Sequence, residues 1–282
     1  MTKPLRHLAL TFTLFTLSNA IQAQDVSARF IDDIPVHYIY ASVLGTGFYD
    51  LSGKKIVVAR LPFASKKFNA PPAGSQWRFI FPLAVGYENM GEDNDFEMWL
   101  PSELLSVSMV PGLEYFYQPR PNWLLKPFIQ VGLGRDYVQH ETTSIAIGGL
   151  RSIGNLYDGE LWDIAVGNSL QWAGEELQHK EQYTSFSLFE FGMNFKRKLP
   201  VRVLNRQLNM SFYTVWQYFY NQQNARYPLV KPVDLENLYQ LGFSLGLQRP
   251  YSILGVNVDT VSIGLSRGEE GYAISFGTGF PF

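Results

Sequence analysis

Apolar residues alternate with small or polar residues along much of this sequence. The last segment shows the pattern most clearly, since every second position from 272 to 282 carries Tyr, Ile, Phe, Thr, Phe and Phe, separated by Ala, Ser, Gly, Gly and Pro. The same alternation runs through 77–87, 241–248 and 261–266. A period of two fits a β-strand with one apolar face and fits no amphipathic helix. The pattern therefore predicts an all-β chain.

Small residues on the second face of these strands indicate a polar interior. A soluble β-sandwich would place Val, Leu and Phe on its inward face, whereas a membrane barrel turns its apolar face to lipid. Hydrophobic residues make up 46% of the chain and aromatic residues 15%. After the amino-terminal segment, however, no stretch resembles a membrane-spanning helix, which needs about 20 apolar residues. The composition therefore favours a transmembrane barrel.

Turn signals divide the chain into about twelve predicted strands. These are 38–51, 54–65, 76–88, 103–117, 123–139, 142–153, 159–173, 182–196, 207–221, 236–249, 256–267 and 271–282. An open sheet edge in lipid would leave backbone groups unpaired, so we predict a closed antiparallel transmembrane β-barrel. An even strand count puts both termini on one side. With the amino terminus periplasmic, the acidic segments 88–97, 174–181 and 269–270 lie outside the cell.

The first 23 residues have the three parts of a secretory signal peptide. Lys3 and Arg6 form a basic start, and an apolar run follows from Leu8 to Leu17. That run is too short to span a bilayer, and small residues follow it. We predict cleavage after Ala23, with Ala20 as the alternative.

The predicted organisation is a signal peptide (1–23), a short periplasmic leader (24–37) and one barrel domain (38–282). In the leader, Val26, Phe30 and Ile34 would form one apolar stripe on a helix. Two interpretations stay open: a short helix that plugs the periplasmic mouth, or a frayed terminus.

Charge and cysteine usage exclude several functions. Removal of the signal peptide changes the net charge from −2 to −4, because Lys3 and Arg6 leave with it, and this argues against nucleic-acid binding. The chain has no cysteine, which excludes disulfides, thiolate metal sites and cysteine catalysis. We predict no cofactor.

His140, with Glu141 and Ser144, is the one local grouping of residue types that hydrolysis needs. Three common residues within five positions are weak evidence, and neighbouring strand residues face opposite sides. We therefore predict no catalytic site. His179 lies in a charged loop and is expected to be solvated.

Two further motifs contain residue types that occur in ligand sites. The acidic stretch 92–97 offers carboxylates to Ca²⁺, but it lacks the full calcium-loop pattern, so a solvated loop is favoured. Gly132 and Gly134 are followed by no predicted helix and so do not form a phosphate-binding loop. We predict no metal site.

Charged residues on the predicted inward face are the candidate functional residues. They are Arg60, Arg78, Glu114, Lys126, Asp136, Asp163 and Glu190. Both signs are present, so they can form a structural network that fills a narrow barrel. The alternative is a constriction that selects small polar solutes.

Several stretches of the sequence resemble one family of barrels. They are Val110–Tyr115, Leu125–Asp136, Val166–Leu170 and Phe276–Phe282. Together they resemble the solitary outer-membrane autotransporter-like β-barrel domain, across roughly residues 38–282. The terminal residue Phe282, with Phe280 and Phe276, looks like the signal by which outer-membrane proteins reach the barrel-assembly machinery.

The resemblance implies twelve strands around a pore and integral insertion in the bacterial outer membrane, in contact with its lipids. Autotransporters carry a passenger ahead of the barrel, but only about a dozen residues lie between the predicted signal peptide and the first predicted strand here. We therefore expect a narrow channel or translocator barrel without a passenger. The alternatives are a structural or surface-interaction barrel with a filled lumen and, least favoured, an outer-membrane hydrolase.

Overall fold

A computed structural model describes eleven segments of the chain. They are residues 42–43, 45–51, 54–72, 74–89, 106–137, 140–178, 182–203, 205–224, 236–253, 256–269 and 271–282. The predicted signal peptide and leader lie outside the described residues, as do the acidic stretch 92–97 and His179. Within the described segments, no helix is long and apolar enough to cross a membrane.

The described chain forms fourteen strand segments. They are β1 (Thr46–Leu51), β2 (Lys54–Ala64), β3 (Phe68–Ala70), β4 (Ser75–Asn89), β5 (Ser106–Met109), β6 (Gly112–Arg120), β7 (Trp123–Asp136), β8 (Thr142–Asp158), β9 (Trp162–Leu177), β10 (Gln182–Val203), β11 (Arg206–Asn224), β12 (Asn237–Ile253), β13 (Val256–Gly268) and β14 (Gly271–Gly277).

These segments build a closed barrel of twelve antiparallel strands. β2 and β3 both pair with β4 and form one interrupted strand, and β5 and β6 likewise share β4 and β7 as neighbours. β1 pairs with both β2 and β14, which joins the two ends of the sheet. The predicted all-β, closed, twelve-stranded architecture is confirmed.

The barrel has two unlike ends. At the "turn end", β6 joins β7 and β10 joins β11 through short connections; β1 runs away from this end and β14 runs toward it. At the opposite "loop end", longer connections such as 90–105 and 225–236 join the strands.

The alternation in sequence becomes the two faces of the wall. In β7, Ile129 and Val131 are 61% and 60% exposed on the outside, whereas the alternate residues Phe128 and Gln130 are buried inside. Leu241, Leu265 and many other large apolar side chains are exposed in the same way. An outer surface this apolar is suited to lipid.

This outer face gives a first prediction. Ile129 lies near the middle of β7, so Ile129→Arg would place a charge near the bilayer midplane. We expect a loss of about 2 kcal/mol in the free energy of unfolding from lipid vesicles, measured by urea titration. Ile129→Leu is the control and should leave the titration midpoint unchanged. Equal midpoints for the Arg and Leu variants would contradict a lipid-facing position.

Two prolines explain why β5 and β6 are separate segments. Pro82 of β4 has no N–H to donate, but its carbonyl accepts a hydrogen bond from the Val110 amide at 3.3 Å. Pro111 follows, and its carbonyl accepts from the Val131 amide at 3.0 Å. The regular hydrogen-bond pattern of the ladder is interrupted at 110–111, yet the chain continues between the same neighbouring strands, β4 and β7.

The basic connection between residues 196 and 206 is a strand extension. β10 continues to Val203, and β11 begins at Arg206 after a tight turn at Asn205 with φ of 59°. The predicted strands 182–196 and 207–221 leave this segment between them as a connection, and five basic residues fall within it. Lys198 explains part of that charge, since its Nζ lies 2.8 Å from an oxygen of Asp163 and 3.4 Å from one of Asp158.

The first and last strands are shorter than the sequence predicts. β1 begins at Thr46 instead of 38, and the backbone at Ser42–Val43 is helical. β14 ends at Gly277 instead of Phe282. Both strands therefore occupy only the loop-end half of the wall. The junction in the turn-end half, between β2 and β13, is called the seam below.

Candidate functional site: the charged lumen

Glu114 is the centre of a charged layer inside the barrel. This carboxylate is 1% exposed and accepts hydrogen bonds from Arg78 through Nε at 3.1 Å and through Nη2. Arg151 approaches its other oxygen, with Nη1 at 3.6 Å from Oε1. β4 and β6 place Arg78 directly opposite Glu114 in the ladder. One buried carboxylate therefore joins two guanidinium groups.

Further cations surround this pair. Lys126 of β7 is directly opposite Arg151 of β8 in the ladder, and both are buried. The Arg151 guanidinium lies over the Phe128 ring at 3.7 Å, a favourable contact for a desolvated cation. Lys67 lies over the Phe116 ring at the same distance of 3.7 Å.

Arg60 and Glu190 complete the charged layer. Arg60 is buried and donates through Nη1 to the Val43 carbonyl at 3.4 Å. Glu190 is buried and accepts a hydrogen bond of 2.7 Å from Gln217 Nε2. A cavity in this layer is lined by Ser42, Val43, Arg60, Gln130, Ile147, Arg151, Gln171 and Glu190.

Positive charge exceeds negative charge in this layer. Among the described side chains it contains five cations and two carboxylates, namely Arg60, Lys67, Arg78, Lys126 and Arg151 with Glu114 and Glu190. Buried charge is costly unless it is compensated. The layer carries a formal excess of three positive charges, five cations against two carboxylates.

The structure brings together five of the seven residues predicted to line the lumen: Arg60, Arg78, Glu114, Lys126 and Glu190. Asp163 lies apart, at the turn end beside Lys198, and is 22% exposed. Asp136 is the last residue of β7, opposite Ser106.

Sequence reasoning missed Arg151 and Lys67. Arg151 shares the inward face of β8 with Ile145 and Ile147, which are 1% and 3% exposed. Inward isoleucines reverse the pattern of apolar-out alternation, so alternation did not indicate that Arg151 points inward. Lys67 lies in the interruption between β2 and β3, where alternation carries no information.

Apolar side chains fill the lumen on both sides of the charged layer. Toward the loop end lie Ile145, Ile147, Leu177, Phe186, Leu188, Phe219 and Leu238. Toward the turn end lies a second cluster of Tyr213, Val215, Phe280 and Phe282, packed against Ile153. Glu175 and Gln217 are also buried at the level of the loop-end cluster, so the charged layer lies between two apolar clusters, of which the loop-end one is mixed with polar side chains.

The predicted chemical candidates lie away from this layer. His140 is exposed in the connection before β8, with φ of 57°. Ser144 Oγ accepts a hydrogen bond from Gln178 Nε2 at 3.3 Å. Gly132 lies within β7, covered by the backbone of Met109 and Val110. Within the described segments, no three His, Cys, Asp or Glu side chains form a group that could hold a metal ion.

Strand number, closure and the apolar outer face define the class of this protein: it has the fold of an autotransporter-like outer-membrane β-barrel. Among solved structures, it is similar to the β domain of the Bordetella autotransporter BrkA, with a TM-score of 0.53 and 10% sequence identity. The alignment covers 84% of this chain and 96% of that one. No protein-family model and no curated protein matches the sequence. At this identity the likeness shows the fold alone.

Proposed function

We propose that this chain is an outer-membrane barrel whose lumen is closed to ions at rest by its own side chains, with a structural or surface-interaction role. The observation that carries the proposal is the filled lumen. The charged layer lies between two apolar clusters, and Phe186, Leu188 and Phe219 are each at most 1% exposed. Twelve strands give a diameter between that of filled eight-stranded barrels and open porins. Whether the lumen is open or closed therefore depends on how far side chains fill it.

The test is planar-bilayer conductance of the refolded mature chain. We expect no steady conductance, because the layered lumen offers ions no continuous aqueous path. The control is a triple variant, Phe186→Ala, Leu188→Ala and Phe219→Ala, which removes bulk from the loop-end cluster alone. It should raise the frequency of current steps while still migrating as a folded barrel on gels. Steady conductance by the unmodified chain would contradict the proposal.

A narrow channel for small polar solutes is the second candidate, and the excess of cations in the charged layer favours it. A pore through this layer would be anion-selective, because five cations face two carboxylates there. The reversal potential of any current from the triple variant measures that selectivity. Lys126→Gln should then move it toward zero.

The same proposal covers location and contacts. Residues 1–23 direct export and are cleaved, the turn end faces the periplasm, and the outer face contacts outer-membrane lipids. The barrel-assembly machinery inserts the chain, reading the carboxy-terminal aromatic residues. The exposed positions of Tyr272 and Phe276 on β14 support a membrane-facing last strand.

A further inference from the structure

The last five residues leave the barrel wall and enter the lumen. β14 ends at Gly277, and Gly279 adopts φ of 118°, a conformation that glycine tolerates and other residues rarely do. The Gly279 amide donates to Ser262 Oγ at 3.0 Å. Beyond this turn, Phe280 and Phe282 are 6% and 1% exposed inside the barrel. This segment, 278–282, is called the tail.

A recess in the opposite wall receives the tail. A Cβ added at Gly192 would lie 2.9 Å from the Phe282 ring and 3.0 Å from the Phe280 ring, and one at Gly167 would overlap the Phe282 ring. The two tail rings are 4.9 Å apart, and Tyr213 meets Phe280 at 6.0 Å. Glycines in the wall thus provide the space that the terminal ring fills.

The β13–β14 ladder defines a second position for the tail, in which it would extend β14 along the edge of β13. The ladder pairs Ile263 with Phe276 and Ser262 with Gly277, so continuing it would place Asn257 opposite Phe282. In that position Phe280 and Phe282 would share the outer face of Tyr272 and Phe276, which are exposed. Among the described pairings, residues 256–261 of β13 have partners in β12 only.

Among the described residues, side chains and a proline satisfy part of the backbone at the seam, where the two edges have no strand partner. On the β2 side, the Thr46 hydroxyl accepts from the Arg60 amide at 2.8 Å and replaces a strand partner. Pro62, two residues further along the same edge, has no N–H to leave unpaired. On the β13 side, Ser262 receives the Gly279 amide. Side chains therefore satisfy part of the backbone that a longer β14 would pair.

The two positions differ little in hydrophobic free energy. Lipid tails are as apolar as a protein interior, so moving two Phe rings from lipid to lumen gains little by transfer. The edge position gains backbone hydrogen bonds that are valuable in lipid, and the recess gains close packing. Because neither position is strongly favoured, the tail can exchange between the edge and the recess.

The order of occupation follows from how each position is built. The edge needs only the β13–β14 hairpin, whereas the recess combines Ile153 of β8, Gly167 of β9, Gly192 of β10 and Tyr213 of β11. Those strands face the tail only once the barrel has closed. The edge is therefore available before the recess exists.

We propose that the tail is a two-position latch: it extends β14 along β13 while the barrel assembles, and it moves into the glycine-lined recess when the barrel has closed. The latch operates in the same way whether or not the finished barrel conducts ions. The terminal residues thus have two successive roles: they form an outward-facing strand during assembly and an internal plug afterwards.

Pairs of introduced cysteines test the latch, since the chain has none of its own. The recess pair is Gly167→Cys with Phe282→Cys; a Cβ at Gly167 lies 2.7 Å from the Phe282 Cβ, about 1 Å short of a relaxed disulfide. The edge pair is Asn257→Cys with Phe282→Cys. A second edge pair, Asp259→Cys with Phe280→Cys, keeps the terminal ring. Ile129→Cys with Phe282→Cys is the proximity control.

During refolding into vesicles, samples are exposed to short pulses of oxidant and then alkylated. The crosslinks are identified by non-reducing mass spectrometry. Both edge pairs should crosslink in early pulses and fall by about tenfold or more in late pulses, while the recess pair rises. The Ile129 control should stay uncrosslinked throughout.

Three results would overturn the latch. The first is absence of edge crosslinks at every pulse in a chain whose recess pair forms, which would mean one position for the tail. The second is persistence of edge crosslinks as the main product in the closed barrel. Gly167→Ala, which crowds the recess, should raise late crosslinking of the Asp259–Phe280 pair by about tenfold, and no rise would also count against the latch.

Discussion

Glu114→Gln should lower the free energy of unfolding by about 3–5 kcal/mol, the largest effect expected from a single substitution in this barrel. The variant keeps the shape of the side chain but removes the one carboxylate that contacts both Arg78 and Arg151. Those guanidinium groups then stay buried without their counter-charge. Urea titration of the barrel in lipid vesicles gives the measurement.

The matched control is Asp158→Asn at the turn end. Asp158 also pairs with a cation, Lys198, but its side chain is 63% exposed, so solvent already screens the interaction. We expect a change of about 1 kcal/mol or less there. Adding Arg78→Gln to the Glu114→Gln variant should cost less than Arg78→Gln alone, because the two residues are coupled. Additive losses would show that the pair is not an energetic unit.

Gly132→Ala should destabilise the barrel by about 3 kcal/mol, at the upper end of overpacking effects. Gly132 lies beneath the break between β5 and β6, where the added Cβ would overlap the Met109 carbonyl and lie 2.5 Å from the Val110 Cα. Both neighbours are backbone atoms, so the wall itself would have to move. A rotamer change cannot relieve the contact.

Gly148→Ala in the adjacent strand provides the control of opposite sign. A Cβ at Gly148 meets only the Phe128 carbonyl, at 3.9 Å, which is ordinary contact. There the substitution should be neutral or stabilising by about 0.5 kcal/mol, through lower entropy of the unfolded chain. Equal urea midpoints for the two variants would mean that the close approach at Gly132 is not maintained in the membrane.

The sequence predicted the outer wall well because one physical rule governs it. Every lipid-facing position must be apolar, and the strand period is two, so Phe79, Phe81 and Ile129 could be assigned from alternation alone. Strand number and closure followed from the turns and from the cost of an edge in lipid. The exposed positions of these three side chains agree with that assignment.

The lumen was predicted only in part, because no single rule fixes the polarity of an interior face. Glu114 and Glu190 were predicted to point inward because they fall on the polar face of their predicted strands, and both are buried in the structure. Arg151 was missed because inward-facing Ile145 and Ile147 precede it on β8. A lumen filled by side chains accepts apolar and charged residues alike, so its sequence pattern is weaker than that of the lipid face.

The carboxy terminus separates what sequence determines from what tertiary structure decides. By itself the sequence determined an alternating, aromatic, membrane-facing barrel, because strand geometry and lipid act on each residue locally. The same alternation predicted a strand to Phe282, yet β14 ends at Gly277. Only the closed barrel brings Gly167 and Gly192 opposite the tail, and this recess, built from strands about a hundred residues earlier, decides where Phe282 lies.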